Sequence, residues 1–322
     1  MYRAILCSVL VLFAISKANS HAIDFEAGLD FGYRLGETEY VYDQSGQVPD
    51  VGSVTVGSQL EFPLNCFRIG LKTRLGQDYL PRPWDVRLSM YTNINDPSAK
   101  MLDHDWITWP TSGFDGKFSY TESDVDMRSF EIDLNGRWYV MHPGAFLVGP
   151  WTGFRLQYFS QDVIGFDGWQ IDYNTQPFSR QYFSDSRLGI KYHVTWLQFP
   201  VGLAWRLPAG RVLSGDFHVA MVPCWFSDYD DHVLRNKDAE ASGLGFGFDA
   251  RSSWDIAMGA TPLSLRAETG FLYLKASGDQ TQTWYGDDPF TEGDDTGKSS
   301  ENVPHEVKTS QFDMSLTLVF GL

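Results

Sequence analysis

The chain has 322 residues, with 41 acidic against 25 basic side chains and a formal net charge of −16. That balance makes nucleic acid and anionic lipid poor partners and cationic polypeptides good ones. Three cysteines are too few for a disulfide scaffold, and the length suits one large β domain as well as two small ones.

In chain order, the basic start Met1-Tyr2-Arg3 precedes an apolar run from Ala4 to Ile15 and then small residues up to Ala22. This is the pattern of a secretory signal peptide, residues 1–22, cut after Ser20 or Ala22 and taking Cys7 with it. The run is shorter than the ~20 apolar residues of a transmembrane helix. No later stretch is longer, so membrane integration would have to use strands. Residues 23–322 read as one domain. Cys66 and Cys224 fall in distant strands and are expected to stay unpaired.

Alternation of period two recurs along the rest of the chain. Phe130, Ile132, Leu134 and Trp138 oppose Glu131, Asp133, Asn135 and Arg137. Phe312, Met314, Leu316, Leu318 and Phe320 oppose Asp313, Ser315, Thr317 and Val319. One face is long and aromatic, while the other carries Arg87, Arg137, Arg155, Arg266, Glu131 and Glu268. A lipid-facing exterior around a polar lumen explains both.

The spacing predicts ten strands, at 24–43, 52–75, 84–96, 126–141, 145–166, 183–206, 211–228, 241–259, 263–283 and 305–322. Short turns near Asp78–Pro83, His142–Gly144, Leu207–Gly210 and Gly259–Pro262 alternate with longer loops at about 44–51, 97–125, 167–182, 229–240 and 284–304. The fold class is therefore all-β: a transmembrane antiparallel up-and-down β-barrel of ten strands. Several strands exceed the ~9–11 residues that cross a bilayer, so the barrel should extend beyond the outer membrane on its extracellular, long-loop side.

Two clusters stand at that end. The first holds Asp103 and Asp105 within MLDHDW; the second holds Asp228, Asp230 and His232 within FSDYDDH. In extended chain each set shares a face. Leu213, Phe217, Val219, Met221 and Trp225 set the outward phase, which turns Asp228, Asp230 and His232 into the lumen. The third strand turns its odd positions inward, which suits Asp103 and Asp105. A carboxylate beside a histidine fixes its tautomer and makes it a general base. Two neighbouring carboxylates repel, so one keeps a proton and helps grip a water. The plain alternatives are solvated acidic loops or a weak Ca²⁺ site. No Gly-framed serine and no HExxH or Cys/His cluster offers another chemistry.

On these residues the chain resembles the omptins, outer-membrane endopeptidases of Gram-negative bacteria. That family's aspartate couple and aspartate–histidine dyad are similar to LDHDW and DYDDH here, in the same order. TEYVY places Glu39 at the family's acidic position on the first strand, and SQLEF and GIKY are fainter echoes. The resemblance implies that Asp103, Asp105, Asp230 and His232 hold and activate the attacking water. It also implies that Glu39 and Asp228 grip an Arg or Lys at P1, Glu39 facing inward through a bulge near Gly36. The implied protein is monomeric, needs no cofactor, and meets only outer-membrane lipid and basic polypeptide substrates. The family's Glu and Arg for lipid A phosphates are missing from the fifth strand, which predicts weak activation by lipopolysaccharide. Arg155 and Arg180 remain as phosphate candidates. The rivals are a non-catalytic barrel acting as adhesin or receptor for cationic proteins, and a small porin.

Overall fold

The computed structural model describes residues 23–48, 51–78, 82–141, 146–172, 177–208, 213–259, 261–289, 291 and 293–321. The expected signal segment 1–22 and the turn at His142–Gly144 lie outside them, as do parts of the other three expected turns.

Among the described residues the strands are β1 Asp24–Val48, β2 Gly52–Pro63, β3 Cys66–Gln77, β4 Trp84–Asn93, β5 Met101–Trp109, β6 Phe114–Trp138 and β7 Leu147–Asp172. They continue with β8 Ser179–Gln198, β9 Val201–Pro208, β10 Leu213–His232, β11 Lys237–Ala257, β12 Leu263–Trp284 and β13 Ser299–Gly321. All pairings are antiparallel, and β1 pairs with β13, so the sheet closes on itself and leaves no edge. At one end the ring runs β1-β3-β4-β6-β7-β9-β10-β11-β12-β13; at the other β2, β5 and β8 replace β3, β4 and β9. Either circuit is the expected ten strands, three of them interrupted partway.

Along β10 and β13 the inward face keeps one phase, but its chemistry changes with height. In the lower half the lumen is packed with ion pairs. Arg155 reaches Asp133 at 2.9 Å and Asp249 at 2.6 Å, Arg34 reaches Glu131 and Asp313 at 2.8 Å each, and Arg206 reaches Asp85 and Asp216 at 2.8 Å each. Buried charges need such partners. Outside, Phe312, Met314, Leu316, Leu318 and Phe320 of β13 are exposed, as are Leu244, Phe246 and Phe248 of β11. This is the band expected against lipid.

Above that band the polarity inverts. On β13 the outward residues become Ser310, Lys308 and Glu306, while Val307 turns inward beside Tyr40, Leu60, Phe62, Phe159, Trp196, Phe226 and Leu274 in one apolar core. With water on the outside, the upper barrel folds as an ordinary closed β domain with a hydrophobic interior. A lumen polar throughout was expected; instead an apolar plug lies over the ionic one. Cys66 and Cys224 are buried in this region, unbridged.

The same inversion shortens the expected loops. Residues 97–125 were expected to be a loop, yet β5 and the first part of β6 form a hairpin there. Likewise 229–240 reduces to a 3₁₀ turn, Val233–Arg235, because β10 runs on to His232 and β11 begins at Lys237.

Candidate active site

The site sits on the upper lumen wall, and regular strand geometry places it. Asp228, Asp230 and His232 occupy alternate positions of β10, opposite Ala241, Ala239 and Lys237 of β11. Asp103 and Asp105 of β5 oppose Leu60 and Ser58 of β2. Both Asp103 and Asp105 therefore point inward, as their phase predicted, and from a strand rather than from a loop.

Asp230 is the hub. Its Oδ2 lies 2.9 Å from His232 Nε2 and accepts a hydrogen bond from the hydroxyl of the fully buried Tyr40. Burial alone would raise this carboxyl; His232 and the Tyr40 hydroxyl overcome it and hold Asp230 below the usual carboxylate range. With Nε2–H donated to Asp230, the His232 Nδ1 lone pair is the free base.

Asp103 and Asp105 behave oppositely. Burial, with Asp105 and Asp230 close by, pushes Asp103 well above the normal carboxylate range and so favours its protonated form. Its Oδ1 is buried without a partner among the described residues. Burial also raises Asp105, against the Ser58 hydroxyl and His232, which favour its ionised form. One wall thus presents Asp230, biased toward its ionised form, beside His232, and the other a carboxyl pair biased toward its protonated form. Environments that drive neighbouring titratable groups apart are a mark of acid–base sites.

Asp228 lies below the dyad and is already engaged. His305 Nε2 is 2.8 Å from its Oδ2, and the Tyr192 hydroxyl donates to the same oxygen at 3.2 Å. These two partner rings pack in turn against Tyr40, and Tyr192 also against Phe62, with ring centres 4.2–5.5 Å apart. Burial raises Asp228 despite these partners.

Glu39 does not join the site. The β1–β13 register runs unbroken from Gly36↔Gln311 to Tyr42↔His305, so the expected slip near Gly36 is absent. Glu39 stands on the outer face, its Oε1 3.1 Å from Lys308 Nζ, and Tyr40 takes the inward place. Gly36 is there for close approach: a Cβ would lie 2.0 Å from the Ser310 carbonyl oxygen, and its φ is +141°.

Sequence reasoning missed Tyr40, His305 and Lys237, and met Ser58 and Tyr192 only as members of the SQLEF and GIKY echoes, without a role. Strand phase was the available signal for Tyr40, since even positions of β1 face inward from Asp30 onward. Lys237 is buried across from His232 with its Nζ 5.7 Å from the centre of the Trp284 ring. Burial and nearby Arg235 push its ammonium down to about 8.

A closed barrel with an outward apolar belt, an ion-paired lumen and a carboxylate–imidazole cluster in one mouth defines an outer-membrane-type β-barrel. The chain belongs to the Omptin family, whose model matches residues 21–244. The fold is similar to the crystal structure of the outer membrane protease OmpT from Escherichia coli. That likeness has a TM-score of 0.73 at 14% identity and covers 95% of this chain and 100% of the other. The outer membrane protein OprG from Pseudomonas aeruginosa is far less similar, with TM-score 0.32 and 11% identity over 93% of this chain and 97% of that one. No curated protein sequence is significantly similar. Family and fold make this a Gram-negative outer-membrane protein of a protease family.

Proposed function

We propose that the protein is an endopeptidase whose active mouth faces the cell exterior and hydrolyses polypeptides without a covalent intermediate. The observation that carries this is the 2.9 Å Asp230–His232 contact, made across the lumen from the Asp103–Asp105 pair. His232 Nδ1 takes a proton from water as its oxygen attacks the scissile carbonyl carbon. Asp230 stabilises the imidazolium that forms. Asp105 orients the water, and the proton retained by the pair is donated as a hydrogen bond to the developing oxyanion. The tetrahedral intermediate collapses with cleavage of the C–N bond, and His232 returns its proton to the leaving amine.

A preference for Arg or Lys at P1 rests on Asp228, with Asp231, Asp238 and Glu240 at the rim attracting cationic chains. Glu39 contributes nothing from the outer face. The enzyme acts as a monomer on basic polypeptides, with outer-membrane lipid as its other partner. Lipopolysaccharide is at most a weak activator: Arg155 is committed to Asp133 and Asp249 in the lumen, and Arg180 lies 4.1 Å from the Trp169 ring centre.

The test uses detergent-refolded protein and a quenched dibasic peptide. His232→Ala and Asp230→Ala should each lower kcat/KM by about 10²–10⁴-fold, as loss of a general base does, while the barrel stays heat-modifiable. Activity of His232→Ala within threefold of wild type would refute the mechanism. Wild-type protein that binds the peptide uncut would favour the receptor.

A further inference from the structure

Beside the carboxyl pair lies a cavity of about 220 Å³ whose lining includes Asp103, Asp105 and His232 at the catalytic end. Its apolar lining is Met101, Val163, Phe166, Phe183, Ile190 and Leu234, and the side chains of Ser119, Thr121 and Ser123 add hydroxyls to one wall. Met101, Val163 and Ile190 belong to the apolar interior of the upper barrel.

The space is built by irregular pairing. The β5–β6 register shifts between Asp105 and Trp106, the β6–β7 register between Glu122 and Asp124, and the β7–β8 register on both sides of Ile164. Next to the last of these, Gly165 takes φ +68°. Bulges bend a strand and re-aim its side chains, and they recur next to active sites. Here they fall at or beside the cavity-lining residues Asp105, Ser123, Val163 and Phe166. Gly189, which also lines the cavity, leaves open the room in front of Phe166.

We infer that this cavity is a specificity pocket that takes a bulky apolar side chain of the substrate, next to the scissile bond. The inference rests on the peptidase reading for the same site and adds a second determinant to basic-residue recognition. Size and chemistry agree. A buried apolar cavity of about 150 Å³ already admits a benzene ring, so a Phe, Leu or Met side chain fits here. The lining cation, Arg235, is bound to Asp288 at 2.9 Å and is not offered to an acidic side chain. Because the catalytic groups line the same space, a side chain seated in it holds the neighbouring peptide bond within their reach.

The experiment compares peptides that differ in one residue beside the cleaved bond, Phe, Leu, Ala or Asp, on wild type, Gly189→Ala and Gly189→Leu. Gly189 lacks the left-handed backbone that would forbid a side chain, and its Cβ would meet the Phe166 ring at an ordinary 3.6 Å. Gly189→Leu should therefore fold and fill the pocket. Wild type and Gly189→Ala should favour Phe or Leu over Ala by at least ~10-fold in kcat/KM, the discrimination a hydrophobic pocket reaches. Gly189→Leu should abolish that preference, the Phe and Leu peptides falling to the rate of the Ala peptide.

In parallel, Kd values for the same peptides are measured on His232→Ala protein, with and without Gly189→Leu. Apolar-selective binding that Gly189→Leu removes supports the pocket even if wild type cleaves nothing, which would refute only the peptidase reading. Cleavage or binding indifferent to the varied residue, or a preference that survives Gly189→Leu, overturns the pocket.

Discussion

Replacing Tyr40 by Phe removes one oxygen and leaves the ring packing of the upper core in place. In the native protein that hydroxyl donates to Asp230 Oδ2, the atom that also faces His232 Nε2, while Asp230 Oδ1 is buried with no partner among the described residues. Burial raises the Asp230 carboxyl, and the Tyr40 hydroxyl is one of the groups that bring it back below normal. A hydrogen bond to a charged group is worth about 1.5–3 kcal/mol, or roughly 10- to 150-fold in the ratio of ionised to protonated carboxyl. The dyad works only with Asp230 ionised. The acid limb of log kcat/KM should therefore move to higher pH in Tyr40→Phe, with losses up to that factor on the limb and a nearly unchanged alkaline plateau. The assay is cleavage of a fluorogenic peptide from about pH 4 to 9 in mixed buffers of constant ionic strength. A profile that falls uniformly at every pH, or does not change, would mean that Tyr40 does not tune Asp230.

Two further substitutions probe neighbouring groups. His305→Ala releases the Asp228 carboxylate from its 2.8 Å partner, so the ratio of Lys or Arg to neutral P1 cleavage should rise about tenfold, within the range of one charged hydrogen bond. A fixed ratio in a peptide-library profile would place basic-residue recognition elsewhere. Asp103→Asn replaces a carboxyl whose folded-state pKa is raised by burial and by Asp105 and Asp230. Such a group stabilises the fold at low pH, and that contribution is lost as pH rises through its folded pKa. The variant should therefore gain stability over wild type more at pH 8 than at pH 4, read as the temperature of the heat-modifiability shift. An equal change at both values would show that Asp103 is not held protonated.

The inward phase of β10 was legible because its outward residues are unmistakably apolar below Trp225, and counting in twos carries that phase up to His232. The lower barrel was readable for the same reason. The upper barrel was not, because a strand that leaves lipid for water exchanges the chemistry of its two faces while keeping its phase. Around Asp103 and Asp105 the outward residues, His104 and Trp106, look like loop or girdle residues, so a strand was taken for a loop. Glu39 failed differently: motif likeness put it inside, while the continuous alternation through Arg34, Thr38 and Tyr40 put it outside, and the register obeys the alternation. His305 is separated by about 70 residues from the cluster it joins, and only the closure of β13 against β1 reveals the contact.

The exchange of polarity partway up the wall also acts as a waterline. Pushing the barrel one residue deeper, about 3.3 Å along a strand, would start to drag Lys308, Glu39, Glu306 and Lys275 toward hydrocarbon. A charge there costs from near zero at the interface to about 2–4 kcal/mol at the midplane for Lys or Arg. Lifting it would put Phe312 and Leu244 into water. The molecule is therefore ballasted at one height, with the dyad held a fixed distance above the lipid. In the proposed orientation, polypeptides that stand clear of the cell surface reach that height, whereas segments lying flat among the headgroups pass beneath it.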